Sequence, residues 1–225
     1  MNAVIFYSNT GQSKSVAEYF ANNLKFPLID IESNKEKIYD SVVLVFPVHC
    51  QNIPYLVREF LKGTKIKYLT AIATYGKSCC GNALYEINKD YKNVIAGAYV
   101  PTKHSYIDGD TEFRDFDKLT QIVEKIKNPY FINLPKIYKN PLANCFPQLR
   151  SRLGIRIYKN SNCSDCGRCT ALCPFLGIKS GKTNNGCIRC LKCVQMCPNH
   201  ALSVKVRLPL RLYLRKRKKD LIIYV

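Results

Sequence analysis

Met1-Asn2-Ala3-Val4-Ile5-Phe6-Tyr7-Ser8-Asn9-Thr10-Gly11-Gln12-Ser13 opens the sequence and sets its architecture. The run to Tyr7 is apolar and uncharged, as a strand buried on both faces requires. A short loop of hydroxyls, amides and one glycine follows. From Lys14 to Lys25, apolar Val16, Ala17, Phe20 and Leu24 then recur at helical spacing. Strand-like runs return at Phe26–Ile31, Ser41–Phe46, Ile66–Ala73 and Val94–Val100, separated by helix-like Ile53–Leu61, Cys79–Asn88 and Glu112–Lys127. Strands alternating with helices predict an α/β domain over residues 1–128 with a five-stranded parallel sheet.

The Ser8–Ser13 loop carries the first chemical signal. Amides at the start of a helix favour an anion, and Ser8, Thr10 and Ser13 add hydroxyl donors. The same residue types also serve as ordinary N-caps, so on the loop alone both readings stand.

Two cysteine runs carry the second. Cys163-Ser164-Asp165-Cys166-Gly167-Arg168-Cys169-Thr170-Ala171-Leu172-Cys173-Pro174 is followed, 24 residues on, by Cys187-Ile188-Arg189-Cys190-Leu191-Lys192-Cys193-Val194-Gln195-Met196-Cys197-Pro198. Each reads C-x2-C-x2-C-x3-C-P, the bacterial spacing for cubane iron–sulfur sites. Three thiolates on one tight loop reach three iron corners, and the proline turns the fourth cysteine away from a continuing helix. A disulfide framework would call for an oxidising compartment and a secretory leader, and none is recognisable. Paired zinc sites need only CxxC pairs, and buried free thiols would not repeat. The expectation is two 4Fe-4S clusters in a cytoplasmic, oxygen-poor setting.

The cysteine runs resemble those of two-cluster ferredoxins, in which the fourth cysteine of each run ligates the other cluster. That resemblance implies one cluster on Cys163, Cys166, Cys169 and Cys197, and a second on Cys187, Cys190, Cys193 and Cys173. Tyr7–Ser13 likewise resembles the flavodoxin phosphate loop, which implies FMN with its phosphate on Ser8, Asn9, Thr10, Gly11, Gln12 and Ser13. The loops Pro47–Asn52 and Thr74–Gly81 fall where flavodoxins hold the flavin ring, at the carboxyl ends of strands. By that likeness Pro47, His49, Asn52, Tyr75 and Gly76 are ring contacts. Together the motifs resemble the flavodoxin–ferredoxin fusion family. The implied fold is a flavodoxin-like five-stranded parallel sheet followed by a small α+β bacterial-type dicluster ferredoxin domain, covering 1–128 and 159–204. One departure is plain: the chain has no tryptophan, so Tyr75 or Tyr106 is the expected stacking ring. Cys50, Cys79, Cys80 and Cys145 remain and read as small buried hydrophobes.

Residues 129–158 are punctuated by proline yet keep Tyr130, Phe131, Ile132, Leu142, Phe146 and Leu149, and are expected to pack between the domains as short helical or irregular pieces. Charge divides the chain. Residues 1–128 hold 16 Lys/Arg against 14 Asp/Glu, whereas residues 129–225 hold 19 against only Asp165 and Asp220. The surplus suits steering of an acidic redox partner and would raise the cluster potentials. The tail, 205–225, sets a five-residue basic block (215–219) between apolar stretches. It reads as a segment for an anionic membrane surface, at the inner face, for docking on an acidic redox partner, or as a solvated end. Nucleic acid has only charge in its favour, without a recognition motif.

The implied function is electron transfer between the clusters and FMN, exchanging with a redox partner. The alternatives are an FMN-dependent reductase of a small substrate, with His49 or Tyr75 as proton donor, and a cluster carrier whose first domain is a flavin-free docking module. No GxGxxG for a nicotinamide cofactor is present.

Overall fold

The computed structural model describes residues 1–107, 109–137, 146–216 and 220–225. The first half runs β1 (Asn2–Phe6), α1 (Gln12–Leu24), β2 (Leu28–Asp30), β3 (Ile38–Pro47), α2 (Tyr55–Lys62), β4 (Lys65–Tyr75), α3 (Ala83–Asp90), β5 (Val94–Pro101) and α4 (Thr120–Lys127). These five strands pair in parallel in the order β2-β1-β3-β4-β5. This is the doubly wound, flavodoxin-like order, whose crevice opens at the carboxyl ends of β1 and β3.

Alternation explains the two faces. Ala3, Ile5 and Tyr7 point into one core with Val57, Phe60 and Leu61 of α2 and Leu84 and Ile87 of α3. Val4 and Phe6 point into the other with Val16, Ala17 and Phe20 of α1 and Ile122, Val123 and Ile126 of α4. The expected helix over Glu112–Lys127 starts late, with a 3-10 turn at Phe116–Leu119 leading into α4. The preceding stretch is pinned as a loop, because buried Lys77 Nζ bonds Asp110 Oδ1 at 3.2 Å and Thr111 Oγ1 at 2.8 Å. The expected Cys79 helix start likewise moves to Ala83, beyond the left-handed Gly81 (φ 62°).

The second half runs α5 (Pro147–Gly154), β6 (Ile155–Lys159), α6 (Arg168–Ala171), β7 (Ile178–Lys179), β8 (Lys182–Thr183), α7 (Lys192–Gln195), β9 (Leu202–Val206), α8 (Leu208–Arg215) and β10 (Ile222–Tyr224). An antiparallel β6–β9 ladder, from Ile155↔Val206 to Lys159↔Leu202, frames the cysteine loops. The backbone of the two runs repeats with the sequence. Left-handed residues recur 24 apart at Asp165 and Arg189, Gly167 and Leu191, and Leu176 and His200.

The five-stranded expectation needs correcting. β10 adds a sixth strand, antiparallel to β5, with Ile222↔Tyr99, Ile223↔Ala98 and Tyr224↔Gly97 paired. An exposed edge strand is an unfinished template, and the apolar run after Asp220 completes it. The described residues 205–216 and 220–225 are therefore no free tail: they include α8 and the sheet-paired β10. Ile222 and Tyr224 join one core face and Leu221 and Ile223 the other. Of the connector, Ile132 N bonds Val94 O at 2.9 Å and Leu134 is buried against Gly97. Leu142, Cys145 and the basic residues 217–219 lie outside the described residues. Among the described residues no helix is long and apolar enough to cross a membrane.

Candidate functional site

A cavity of about 370 Å³ opens at the carboxyl ends of β1, β3, β4 and β5. That size falls within the range of small-molecule sites. Ser8, Asn9, Thr10, Gln12 and Ser13 line one end, with Pro47, His49, Tyr75 and Gly76 along its wall. Gly11 and Asn52 are not among the lining residues.

Gly11 is the N-cap of α1 in a left-handed conformation (φ 85°), and no side chain caps the helix. The first bond back into α1 is Ser15 N to Gly11 O at 3.0 Å. The amides ahead of it are the free donors that a helix start offers. The hydroxyls are not spent on a cap, although two have partners: Thr10 Oγ1 lies 3.4 Å from Ser105 Oγ, and buried Ser13 Oγ lies 2.8 Å from Thr74 Oγ1. Ser13 thus ties α1 to β4 and reaches a ligand best through its backbone. Asn9 Nδ2 is 3.2 Å from His49 Nε2, while Asn9 Oδ1 has no partner among the described residues. Amide orientation is an assignment. Rotated by half a turn, Asn9 would accept from His49 and offer its NH2 to the loop.

The His49–Asn52 loop is a tight turn held by paired backbone bonds, His49 N to Asn52 O (3.0 Å) and Asn52 N to His49 O (2.8 Å). Its central residues, Cys50 (φ 47°) and Gln51 (φ 72°), are both left-handed without being glycine. Such strain collects at ligand loops. Asn52 Nδ2 and an Arg150 guanidinium nitrogen both donate to Cys50 O, at 2.9 and 3.0 Å. Burial lowers His49 to about 4, so its imidazole is neutral at pH 7. Tyr75, an expected stacking ring, is buried instead, its hydroxyl donating to Asp220 O at 2.6 Å. Tyr106 lines the cavity as well, and its hydroxyl donates to Arg189 O at 2.6 Å. Cys80 is buried, as a small hydrophobe should be, while Cys50 and Cys79 are half-buried in the cavity wall.

The rest of the lining comes from elsewhere in the chain. Lys103, His104 and Ser105 follow β5, Arg150 and Ser151 sit on α5, Leu210, Tyr213 and Leu214 on α8, and Ile188, Arg189 and Cys190 in the second cysteine run. Among the described residues the lining holds Lys103, Arg150 and Arg189 and no carboxylate. This donor set suits an anionic ligand with a flat apolar body, and a phosphorylated flavin is one. Position at strand ends could have flagged 102–106 from sequence. The contributions of α5 and α8 had no local signal.

The eight motif cysteines line two further clefts. Cys163, Cys166, Cys169 and Cys197 share one, and Cys187, Cys190, Cys193 and Cys173 share the other. The fourth cysteine of each run accepts a backbone N–H from four residues on, Gly177 N to Cys173 Sγ at 3.2 Å and Ala201 N to Cys197 Sγ at 3.3 Å. Such donors stabilise thiolate. Burial pushes the Cys190 thiol up to about 11 and Cys193 to about 12, so ionising them calls for a bound cation. Among the described residues no three side chains converge as ligands of a single ion. A cubane makes no such demand, since each thiolate holds a different iron. The first cleft is open, with Cys166 exposed among Asp165, Arg168 and Asn199, whereas the second is walled by Ile157, Phe175, Ile178 and Leu191.

No protein-family model matches the chain, and no curated protein matches it in sequence. Solved structures do match in shape. A candidate flavoprotein from Bacteroides uniformis shows 15% identity and a TM-score of 0.41, over 55% of this chain and 97% of that one. A second from Bacteroides eggerthii shows 17% and 0.41, over 56% and 97%. A flavodoxin from the domain Archaea shows 18% and 0.39, over 56% and 99%. Likeness this distant says nothing of ligand or activity.

Proposed function

We propose that this protein transfers electrons between two 4Fe-4S clusters and a bound FMN, exchanging them with an acidic redox partner. One observation carries the reading: Ile188, Arg189 and Cys190, inside the second cysteine run, form part of the cavity wall facing the Ser8–Ser13 loop. A ligand of one cluster would thus border the flavin. When bound, a flavin holds two electrons and gives them up singly, and a 4Fe-4S cluster carries one.

The chain's own residues have separable tasks. The start of α1 with Ser8, Asn9 and Thr10 would hold the phosphate, and Tyr106 and the strained His49–Asn52 turn would bracket the ring. Glu32 and Lys192 Nζ, 2.7 Å apart, and the Tyr106–Arg189 bond fasten the second cysteine run to the first domain. The open cysteine cleft, flanked by exposed Arg168 and Lys182, faces solvent and would meet the carrier. The reductase reading is weaker because its proton donors are poor: His49 is neutral at pH 7 and carries no imidazolium proton, and the Tyr75 hydroxyl is bonded to Asp220 O.

The test is rapid mixing of anaerobic protein with one-electron reductant, following flavin and cluster absorbance. Cys190→Ser should slow flavin reduction severely while FMN stays bound. Flavin reduction at the wild-type rate in that variant would defeat the relay.

A further inference from the structure

Sequence pattern pointed to the chain's end as a membrane-facing segment, but β10 spends the apolar run 221–225 on the sheet edge. A different surface takes its place. β6 and β9 pair antiparallel through Ile155↔Val206, so α5 ends and α8 begins at the same end of that ladder. Arg207 N bonds Gly154 O at 2.9 Å, and a Cβ on Gly154 would sit 2.6 Å from Leu210 Cδ2. The two helices are therefore in contact through the C-terminus of α5 and the first turn of α8.

Each has two faces. Arg150, Ser151, Leu210 and Leu214 point inward to line the cavity. Leu149, Leu153, Leu208 and Leu212 lie outward, with Leu153 56% and Leu208 64% exposed. The leucines are spaced four apart on each helix, so each pair shares one helix face. Single exposed leucines are ordinary, but four on two adjoining helices point to a docking surface. Arg152 lies on α5 and exposed Arg211 and Arg215 on α8, with Arg207 and Lys216 flanking α8, and neither helix carries an acidic residue. Arg152 Nη1 donates to Asn185 O at 2.8 Å, and Arg211 and Arg215 also line a second groove that holds Asp110.

We propose that the outer face of α5 and α8 docks on an anionic lipid surface. The occupant follows from the combination: the cations match phosphate headgroups, while the leucines match the acyl boundary beneath them. A polyanion would use the cations and leave the leucines in water. The proposal is independent of the cofactors, whose content is measured on the same samples.

The test is co-sedimentation of full-length holoprotein with phosphatidylglycerol-containing vesicles and with pure phosphatidylcholine vesicles. Binding should require the anionic lipid and fall with salt. Arg211→Gln with Arg215→Gln should weaken it about fivefold per cation, the worth of one basic side chain near an anionic leaflet. Leu153→Gln with Leu212→Gln keeps the charge and should cost about fivefold per leucine, for transfer of half a side chain. Circular dichroism and iron content should stay unchanged in both. Absence of binding to anionic vesicles overturns the proposal. So does binding that survives the leucine pair, which would assign the surface to a polyanion.

Discussion

Replacing Lys77 by methionine should loosen both the fold and the flavin cavity. Lys77 is 4% exposed and sits in a left-handed conformation (φ 53°), so its side chain outweighs a backbone cost of about 1–2 kcal/mol that glycine would escape. Its Nζ bonds Asp110 Oδ1 (3.2 Å), Thr111 O (2.5 Å) and Thr111 Oγ1 (2.8 Å). Removing one partner of a buried pair costs about 3–5 kcal/mol. Asp110 keeps the amides of His104 (2.7 Å) and Thr111 (2.9 Å), which places Lys77→Met near the lower end. The freed segment carries Lys103, His104, Ser105 and Tyr106, one wall of the cavity. If that wall adopts its binding form about a tenth of the time, the FMN dissociation constant rises about tenfold. Urea unfolding followed by circular dichroism reads the first effect, and quenching of flavin fluorescence reads the second. Lys77→Met/Asp110→Asn, with no stranded carboxylate, should recover part of the stability. An unchanged urea midpoint together with an unchanged FMN affinity in Lys77→Met would refute the reasoning.

Three further outcomes follow from the site. Gly11→Leu meets open space around its new Cβ, so its cost is conformational, at φ 85°, and FMN retention should fall without steric crowding; full flavin occupancy on dialysis would count against the phosphate loop. Cys166→Ser should lower iron from about eight to about four per chain, one cubane's worth, in an iron assay. His49 has its folded value lowered from 6.5 to about 4, so the unfolded chain takes up the proton first as pH falls. Its stabilisation is complete above pH 6.5 and is lost toward pH 4, by about 3 kcal/mol at most at 1.36 per unit, and by less to the extent that the ring meets solvent in the open cavity. Urea midpoints of wild type should therefore converge with those of His49→Gln between these pH values, and a constant difference would contradict the burial of a neutral imidazole.

Local pattern made the first domain readable. A strand such as Asn2–Phe6 between two faces shows as an unbroken apolar run, and α1 shows as Val16, Ala17 and Phe20 at helical spacing. The cysteine runs were legible because their chemistry depends on short spacings. What escaped is set by distance along the chain. Leu221–Val225 looks apolar and terminal, and nothing near it says that β5, over 120 residues earlier, lacks a neighbour. Arg150, Tyr213 and Leu214 reach the cavity because the β6–β9 ladder turns α5 and α8 back onto it. Tyr75 shows the converse: its position after β4 was legible, but its bond to Asp220 is made by a segment 145 residues away.

The central claim is that one chain holds a flavin and two clusters side by side. Protein purified without oxygen, assayed for iron, sulfide and released flavin, tests it most directly. The account predicts about eight irons, matching sulfide and one FMN per chain, from two cubanes and one cavity. Zinc in place of iron, or full iron without flavin even after FMN is added, would contradict it.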